Sequence, residues 1–240
     1  MTLLADSMLP VGEHLFATEE DLQAGLYQHI ANLANKAIYE RGRFSIVLTG
    51  GRTVLPLYRR LRDLNTPWMA WRVFWGDERC LPKDHCDRNS RQAFDVWLEH
   101  VPIPLGNVFP IPAEAGPHVA ADLYGKQLAG EGKFDLVLLS LGEDGHIASI
   151  FPGAQLQNSA VACPVTDAPK APAQRVTLSL SRLAATRSAL VLAVGSGKQA
   201  ALRSCRTNQC LPLAEFSRIA PLDIWVDRAA KGCDEFGSPP

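Results

Sequence analysis

A chain of 240 residues, 47% hydrophobic and 20% charged, can build a sizeable core and has the composition of a water-soluble globular enzyme. Its formal net charge of −1 excludes broad electrostatic binding to nucleic acid or to an anionic membrane, so any bound anion must be held by a few focused cations. No apolar run has membrane-spanning length, and residues 1–8 lack the basic stretch of a signal peptide, so a cytoplasmic location is expected.

From Thr18 to about Arg41 the apolar residues Leu22, Leu26, Ile30, Leu33, Ala37 and Ile38 recur at three- and four-residue steps. That spacing predicts an amphipathic helix, capped by Thr18 with Asp21 and stopped at Gly42. Residues 44–49 form an apolar run closed by Gly50-Gly51 and read as a strand. Residues 54–64 read as a helix, and 71–75 as a strand ending at Gly76. Residues 89–101 have helical spacing, 102–117 are a Pro-rich connection, and 118–128 are helical again. The eight residues 134–141 read as a fully buried strand. Beyond them, 176–180, 189–194 and 223–226 read as strands, and 181–187 and 197–203 as helices.

Such alternation predicts an α/β fold: a mostly parallel, twisted, Rossmann-like sheet flanked by helices on both faces, one domain over residues 1–240. Residues 154–173 are the longest irregular piece, either a rim or a lid over the loop they follow. Cys80, Cys86, Cys163, Cys205, Cys210 and Cys233 make no C-x-x-C pair and have no histidine spaced for zinc. Reduced thiols and no structural metal are expected.

Four strand ends carry polar or glycine-rich sequence, and in a parallel sheet such ends share one edge, where ligands bind. After the first strand comes Leu48-Thr-Gly-Gly-Arg-Thr53. Consecutive glycines at a helix start expose N–H groups suited to a phosphate, although a Gly-Gly turn is also simply a tight turn. After the second comes Trp75-Gly-Asp-Glu-Arg79. There Asp77 and Arg79 pair with each other, or Arg79 holds an anion while Asp77 binds hydroxyls, or the run is a solvated charged loop.

The third end is Gly142-Glu-Asp-Gly-His146, an acid and an imidazole framed by glycines, where function outweighs a structural role. The fourth is Val194-Gly-Ser-Gly-Lys198, with a lysine in a helix first turn, a place whose dipole prefers an anion. No Walker A loop, G-x-G-x-x-G after the first strand, G-x-S-x-G elbow or H-E-x-x-H occurs, which removes nucleotide, serine-hydrolase and zinc-protease readings. Together the edges supply a phosphate cradle (Gly50, Gly51, Lys198 and Arg79) and an acid/base centre (His146 with Asp144 or Asp77). The set suits a small phosphorylated metabolite.

At these loops the chain resembles the 6-phosphogluconolactonases, whose superfamily also holds glucosamine-6-phosphate deaminase. The matching text is Thr49-Gly-Gly-Arg-Thr, Trp75-Gly-Asp-Glu-Arg with Asp87-Arg-Asn-Ser-Arg, and Gly142-Glu-Asp-Gly-His-Ile-Ala-Ser-Ile-Phe-Pro-Gly. It continues in Pro169-Lys-Ala-Pro-Ala-Gln-Arg-Val-Thr-Leu-Ser-Leu, Gly195-Ser-Gly-Lys-Gln-Ala and Trp225-Val-Asp-Arg-Ala-Ala.

The resemblance implies hydrolysis of 6-phospho-glucono-1,5-lactone to 6-phosphogluconate in the oxidative pentose phosphate pathway, without metal or cofactor. It implies His146 as general base and Arg79, Lys198 and the Gly50-Gly51 turn as phosphate ligands. Asp144 orients the imidazole or binds a sugar hydroxyl. Arg52 stands where many members have a small serine, and either adds a phosphate contact or points to solvent. Arg88 likewise replaces a small residue before Asn89.

The deaminases resemble D-G-H-I-A-F-N-E-P at the histidine loop. Phe151 here stands at their glutamate, which favours the lactonase over that alternative. A sugar-phosphate-binding regulator on the same fold is the other alternative. No DNA-binding helix-turn-helix precedes the first strand, which counts against it. The expected partner is a small phosphorylated sugar lactone, with no nucleic acid and no membrane.

Overall fold

The computed structural model describes residues 12–156, 159–208 and 210–232. The expectations placed on residues 1–8 and on Cys233 fall outside those residues. The first described element, β1 (Gly12–Phe16), is an exposed edge strand not foreseen from the pattern. Helix α1 (Glu19–Arg41) matches its periodicity. The Thr18 hydroxyl accepts the Asp21 N–H at its start, and Gly42 closes it in the left-handed region at φ 71°.

Strand β2 (Phe44–Leu48) is buried throughout, and a short 3₁₀ turn leads into α2 (Leu55–Arg60). Strands β3 (Trp71–Trp75) and β4 (Asp77–Arg79) are separated by Gly76 alone. Helix α3 spans Asn89–Val96 and stops short of the expected 101. Fully buried Trp97 breaks it by turning in among Tyr58, Trp68 and Trp71. The Pro-rich connection contains a two-residue strand, β5 (Val108–Phe109), before α4 (Pro117–Gln127).

Strand β6 (Leu136–Ser140) occupies the centre of the predicted apolar run. Residues 154–173 are not wholly irregular, because they contain β7 (Ala162–Val165). Then come β8 (Arg175–Leu178), α5 (Leu180–Ala184), β9 (Ala189–Ala193) and α6 (Gln199–Thr207). Last are α7 (Pro212–Ser217), which the pattern does not predict, β10 (Leu222–Asp227) and α8 (Arg228–Lys231).

Among the described residues seven strands form one sheet in the order β1-β10-β9-β6-β2-β3-β5, every neighbouring pair parallel, with helices on its faces. The α/β fold class expected from alternation is therefore the fold observed. The central strands β2, β6 and β9 are aliphatic because both their faces are covered. One expectation needs correction. Residues 176–180 are expected in the parallel sheet, yet β8 pairs antiparallel with β4 and β7 in a separate three-stranded sheet. A four-residue strand carries no mark of its partner, so periodicity does not distinguish the two sheets. No described helix is long and apolar enough to cross a membrane.

Candidate active site

The chain leaves β2 toward β3 and β5 on one side, and returns to β6, β9 and β10 on the other. The order reverses between β2 and β6, the crevice where open α/β sheets bind ligands. The four polar loops follow β2, β3, β6 and β9, so the parallel pairing brings them to one edge. Two buried tyrosines pin two of these strand ends. The Tyr58 hydroxyl donates to the Thr49 carbonyl at 2.7 Å and accepts its N–H at 3.2 Å. Tyr124 does the same for Trp75, at 3.1 and 3.0 Å.

The loop after β6 is a tight turn in which the Gly142 N–H donates to the His146 carbonyl at 2.8 Å and the Gly145 N–H to the Gly142 carbonyl at 3.0 Å. Both glycines are required. A Cβ on Gly142 would lie 2.1 Å from His146 Nδ1 and 2.7 Å from Asp144 Oδ1, and Gly145 has φ 87°. Ala148, two residues past the histidine, also sits in the left-handed region at φ 50°, at a cost of about 1–2 kcal/mol. Ile147 on its N-terminal side is bridged to both Leu141 and Ile150, which holds the backbone in that turn.

His146 Nδ1 is hydrogen-bonded to the Asp144 carboxylate, which answers which acid touches the ring. A carboxylate only accepts, so Nδ1 carries the proton and Nε2 keeps a lone pair. Burial pushes the imidazole below its ordinary value, the Asp144 hydrogen bond and charge and the Asp77 charge oppose that, and Lys170 adds to it. Burial works against the Asp144 carboxylate, but its hydrogen bond with His146 outweighs this and holds the acid below the usual range. At neutral pH the pair is thus a neutral imidazole on a carboxylate, a geometry suited to taking a proton at Nε2.

Replacing Gly142 with alanine should displace this pair. We expect Gly142→Ala to abolish the downfield Nδ1–H proton resonance of His146 and to cost about 1–3 kcal/mol of stability. An unchanged resonance in a folded variant would contradict the packing described.

A pocket of about 320 Å³ opens at the switch point. Gly50, Gly51, Arg52 and Thr53 line it from the β2 loop, Glu143 from the histidine loop, and Gly197 and Lys198 from the β9 loop. Four of the predicted residues therefore share one cavity. Gly51 (φ 103°, ψ 160°) and Gly195 (φ 86°, ψ 155°) adopt the same backbone region, which only glycine enters readily, and each starts a 3₁₀ turn into a helix. Gly50 has a different reason for lacking a side chain: a Cβ there would meet Asn89 Oδ1 at 1.9 Å. Arg52 is exposed and lines the pocket. Lys198 is half-buried. Burial and Lys170 lower its ammonium pKa, while Glu143 and Asp144 oppose them.

Asp77 and Arg79 sit on β4, outside the lining of that pocket. Neither pairs with the other. Asp77 is 5% exposed, accepts from Asn89 Nδ2 and takes the Ser149 hydroxyl at 2.5 Å. It ties β4, α3 and the histidine loop together. Ser149 is fully buried in that contact, which leaves it unable to act as a nucleophile. Arg79 Nη1 donates to the Asp87 carbonyl at 2.7 Å, and the residue pairs in register with Arg175 of β8.

Several residues that build the site have roles the sequence does not reveal. Fully buried Glu78 accepts the N–H groups of Asn89 and Ser90, capping α3 from a distant strand. Arg88 is equally buried, lies 3.4 Å from Glu78, and donates to Glu114 and the Ile111 carbonyl. It holds the β4–α3 loop, which accounts for a large residue before Asn89. Arg175 carries one signal, a lone charge opening an apolar strand. His85, Cys86 and Asp87 bring three ligand-type atoms within 4.8 Å on a largely exposed turn, where His85 Nδ1 already accepts the Asp87 N–H. The cysteine spacing points to no such group.

Residues 17–222 match the family model described as glucosamine-6-phosphate isomerases/6-phosphogluconolactonase. A rice protein (Oryza sativa subsp. indica) named probable 6-phosphogluconolactonase 4, chloroplastic, is 36% identical over 218 residues. That match covers 81% of this chain and 66% of the rice protein, just under two thirds of its length. The structure of 6-phosphogluconolactonase from Trypanosoma brucei is 31% identical with TM-score 0.81, covering 92% of this chain and 98% of that one. A monomeric glucosamine-6-phosphate deaminase superposes with TM-score 0.82 at 19% identity, over 92% of this chain and 99% of that one. This last likeness is one of fold alone.

Proposed function

Because the chain belongs to the glucosamine-6-phosphate isomerase/6-phosphogluconolactonase family, we propose that it hydrolyses 6-phospho-glucono-1,5-lactone to 6-phosphogluconate, the second step of the oxidative pentose phosphate pathway. The observation that carries this reading is the His146–Asp144 pair, with Nε2 left as the acceptor, beside a pocket lined by Arg52 and Lys198. A neutral base and separate cations are what a lactone with a remote phosphate requires.

In this reading His146 Nε2 takes a proton from water as the oxygen adds to the lactone carbonyl. The tetrahedral intermediate collapses by breaking the bond from C1 to the ring oxygen, and the imidazolium returns its proton to that oxygen. The imidazolium is held by the Asp144 charge, so no covalent intermediate is needed. Lys198, Arg52 and the Gly51 turn hold the phosphate, and its binding energy orients the carbonyl. Arg79 supplies a further positive charge from β4. Asp77 holds Asn89 and the Ser149 hydroxyl with one carboxylate oxygen each, and each oxygen keeps acceptor capacity for a sugar hydroxyl.

Steady-state lactone hydrolysis, followed by proton release beside glucosamine 6-phosphate, tests the reading. Turnover of the amino sugar and not the lactone would replace it with the deaminase alternative; ligand binding with no turnover of either would favour the regulator. Lys198→Met is expected to raise KM for the phosphorylated lactone by about 10- to 100-fold, the value of one charge-assisted hydrogen bond. Weak turnover of unphosphorylated gluconolactone should stay nearly constant. Equal losses on both substrates would show that Lys198 does not read the phosphate.

A further inference from the structure

Phe151 stands against the catalytic imidazole. Its ring centroid is 4.7 Å from that of His146, with the planes inclined at 43°, and it is 7% exposed. The guanidinium carbon of Arg175 lies 5.5 Å from the same phenyl centroid, within cation–π range. Arg175 is itself 5% exposed, and two of its three guanidinium nitrogens are tied to backbone. Nε donates to the Pro172 carbonyl at 3.0 Å and Nη2 to the Lys170 carbonyl at 2.8 Å. Those carbonyls belong to a hairpin closed by the Ala168 N–H on the Ala173 carbonyl at 3.0 Å. Ala168 and Val165 complete the small apolar cluster around Phe151. An arginine so buried and so tied cannot move without its hairpin, which makes the phenyl ring a rigid wall.

We propose that Phe151, clamped by Arg175, is a positioning residue for His146: it fixes the plane of the imidazole so that Nε2 faces the substrate and keeps water from one face of the ring. The inference rests on His146 being the base. The physical argument has two parts. The Asp144 hydrogen bond fixes the ring at one point, Nδ1, and leaves rotation about that contact open; a flat neighbour removes the rotation. The same neighbour takes the place of water, which would otherwise solvate the imidazolium. The charged groups facing His146 are Asp144 on its own loop, Asp77 on β4 and Lys170 on the hairpin. None of them is changed by altering Phe151.

The test uses the full chain and three variants, with the His146 titration read by ¹⁵N-edited NMR beside kcat, KM and the thermal midpoint. Phe151→Ala is expected to lower kcat by about 10- to 100-fold with KM within about threefold, the signature of a misaligned base rather than lost binding. It should also move the His146 titration upward, toward the ordinary imidazole value of about 6.5. Phe151→Leu fills the space without a flat face, so kcat should fall severalfold while the titration stays close to wild type. Phe151→Tyr retains the flat face and should restore both.

Wild-type kcat and titration in Phe151→Ala would overturn the proposal, as would a Phe151→Leu enzyme indistinguishable from wild type in turnover. The His146 titration is independent of substrate. An absence of lactone turnover in the wild type would therefore sink the proposed reaction and still leave the shielding of the ring to be decided by Phe151→Ala.

Discussion

His146→Ala should lower kcat/KM for the phosphorylated lactone by about 10²- to 10⁴-fold, the usual contribution of a positioned general base, and leave the fold intact. The side chain packs against Phe151 and pairs with Asp144 at the rim of the sheet, and neither contact belongs to the main core. Its removal should therefore change stability by no more than about 1 kcal/mol. The pH profile gives the second half of the expectation. Burial holds the imidazole below its ordinary value, so the wild-type kcat/KM should be flat through neutral pH and fall only below about pH 6.5, as Nε2 becomes protonated. His146→Ala should lose that acid limb along with the rate. Near-normal lactone turnover in the variant would remove His146 from the chemistry.

Asp144→Asn is expected to be nearly as damaging, about 10²-fold or more in kcat/KM, although it deletes no atom of the base. An amide can donate to Nδ1 as well as accept from it, so the tautomer with the proton on Nε2 becomes accessible, and that tautomer cannot take a proton from water. The sign of the pH effect separates this from simple loss of structure. The Asp144 carboxylate raises the His146 pKa against burial and Lys170, so without it the acid limb should move to lower pH. A limb that moves upward, or a variant with full activity, would show that Asp144 does not set the imidazole. Burial is the largest of the influences on His146, so the remaining base should still be neutral at pH 7 and the loss should appear in the rate.

Much of this site is legible in the sequence. The four strand-end loops are recognisable because each follows a run of apolar residues long enough for a buried strand, and because parallel strands must end on one edge. The glycines framing His146 mark a sharp turn, and the structure adds the reason for each: Gly145 has φ 87°, and a Cβ on Gly142 would meet the His146 ring. Arg52 and Lys198 are placed by the same logic and line the same cavity. What escapes the sequence has a common cause. β4, β7 and β8 are three or four residues long, too short for any period, and β4 finds β8 only by pairing across about a hundred residues. Asp77 reads as part of a loop facing substrate, whereas the pairing of β4 turns it into a buried tie between Asn89 and Ser149.

The amino-acid order by itself determined the layered α/β architecture and the gathering of four polar loops on one edge of the sheet, since both follow from local hydrophobic runs and the glycine-rich or charged residues that end them. Only the tertiary structure decided which carboxylate touches the imidazole, which glycines serve packing and which serve backbone geometry, and which residues wall the ring. Phe151 lies against an imidazole five positions back, Arg175 against a ring more than 20 positions away, and Glu78 against the start of a helix on another element. Contacts of that kind depend on how the two sheets meet, and no periodicity in a single chain records it.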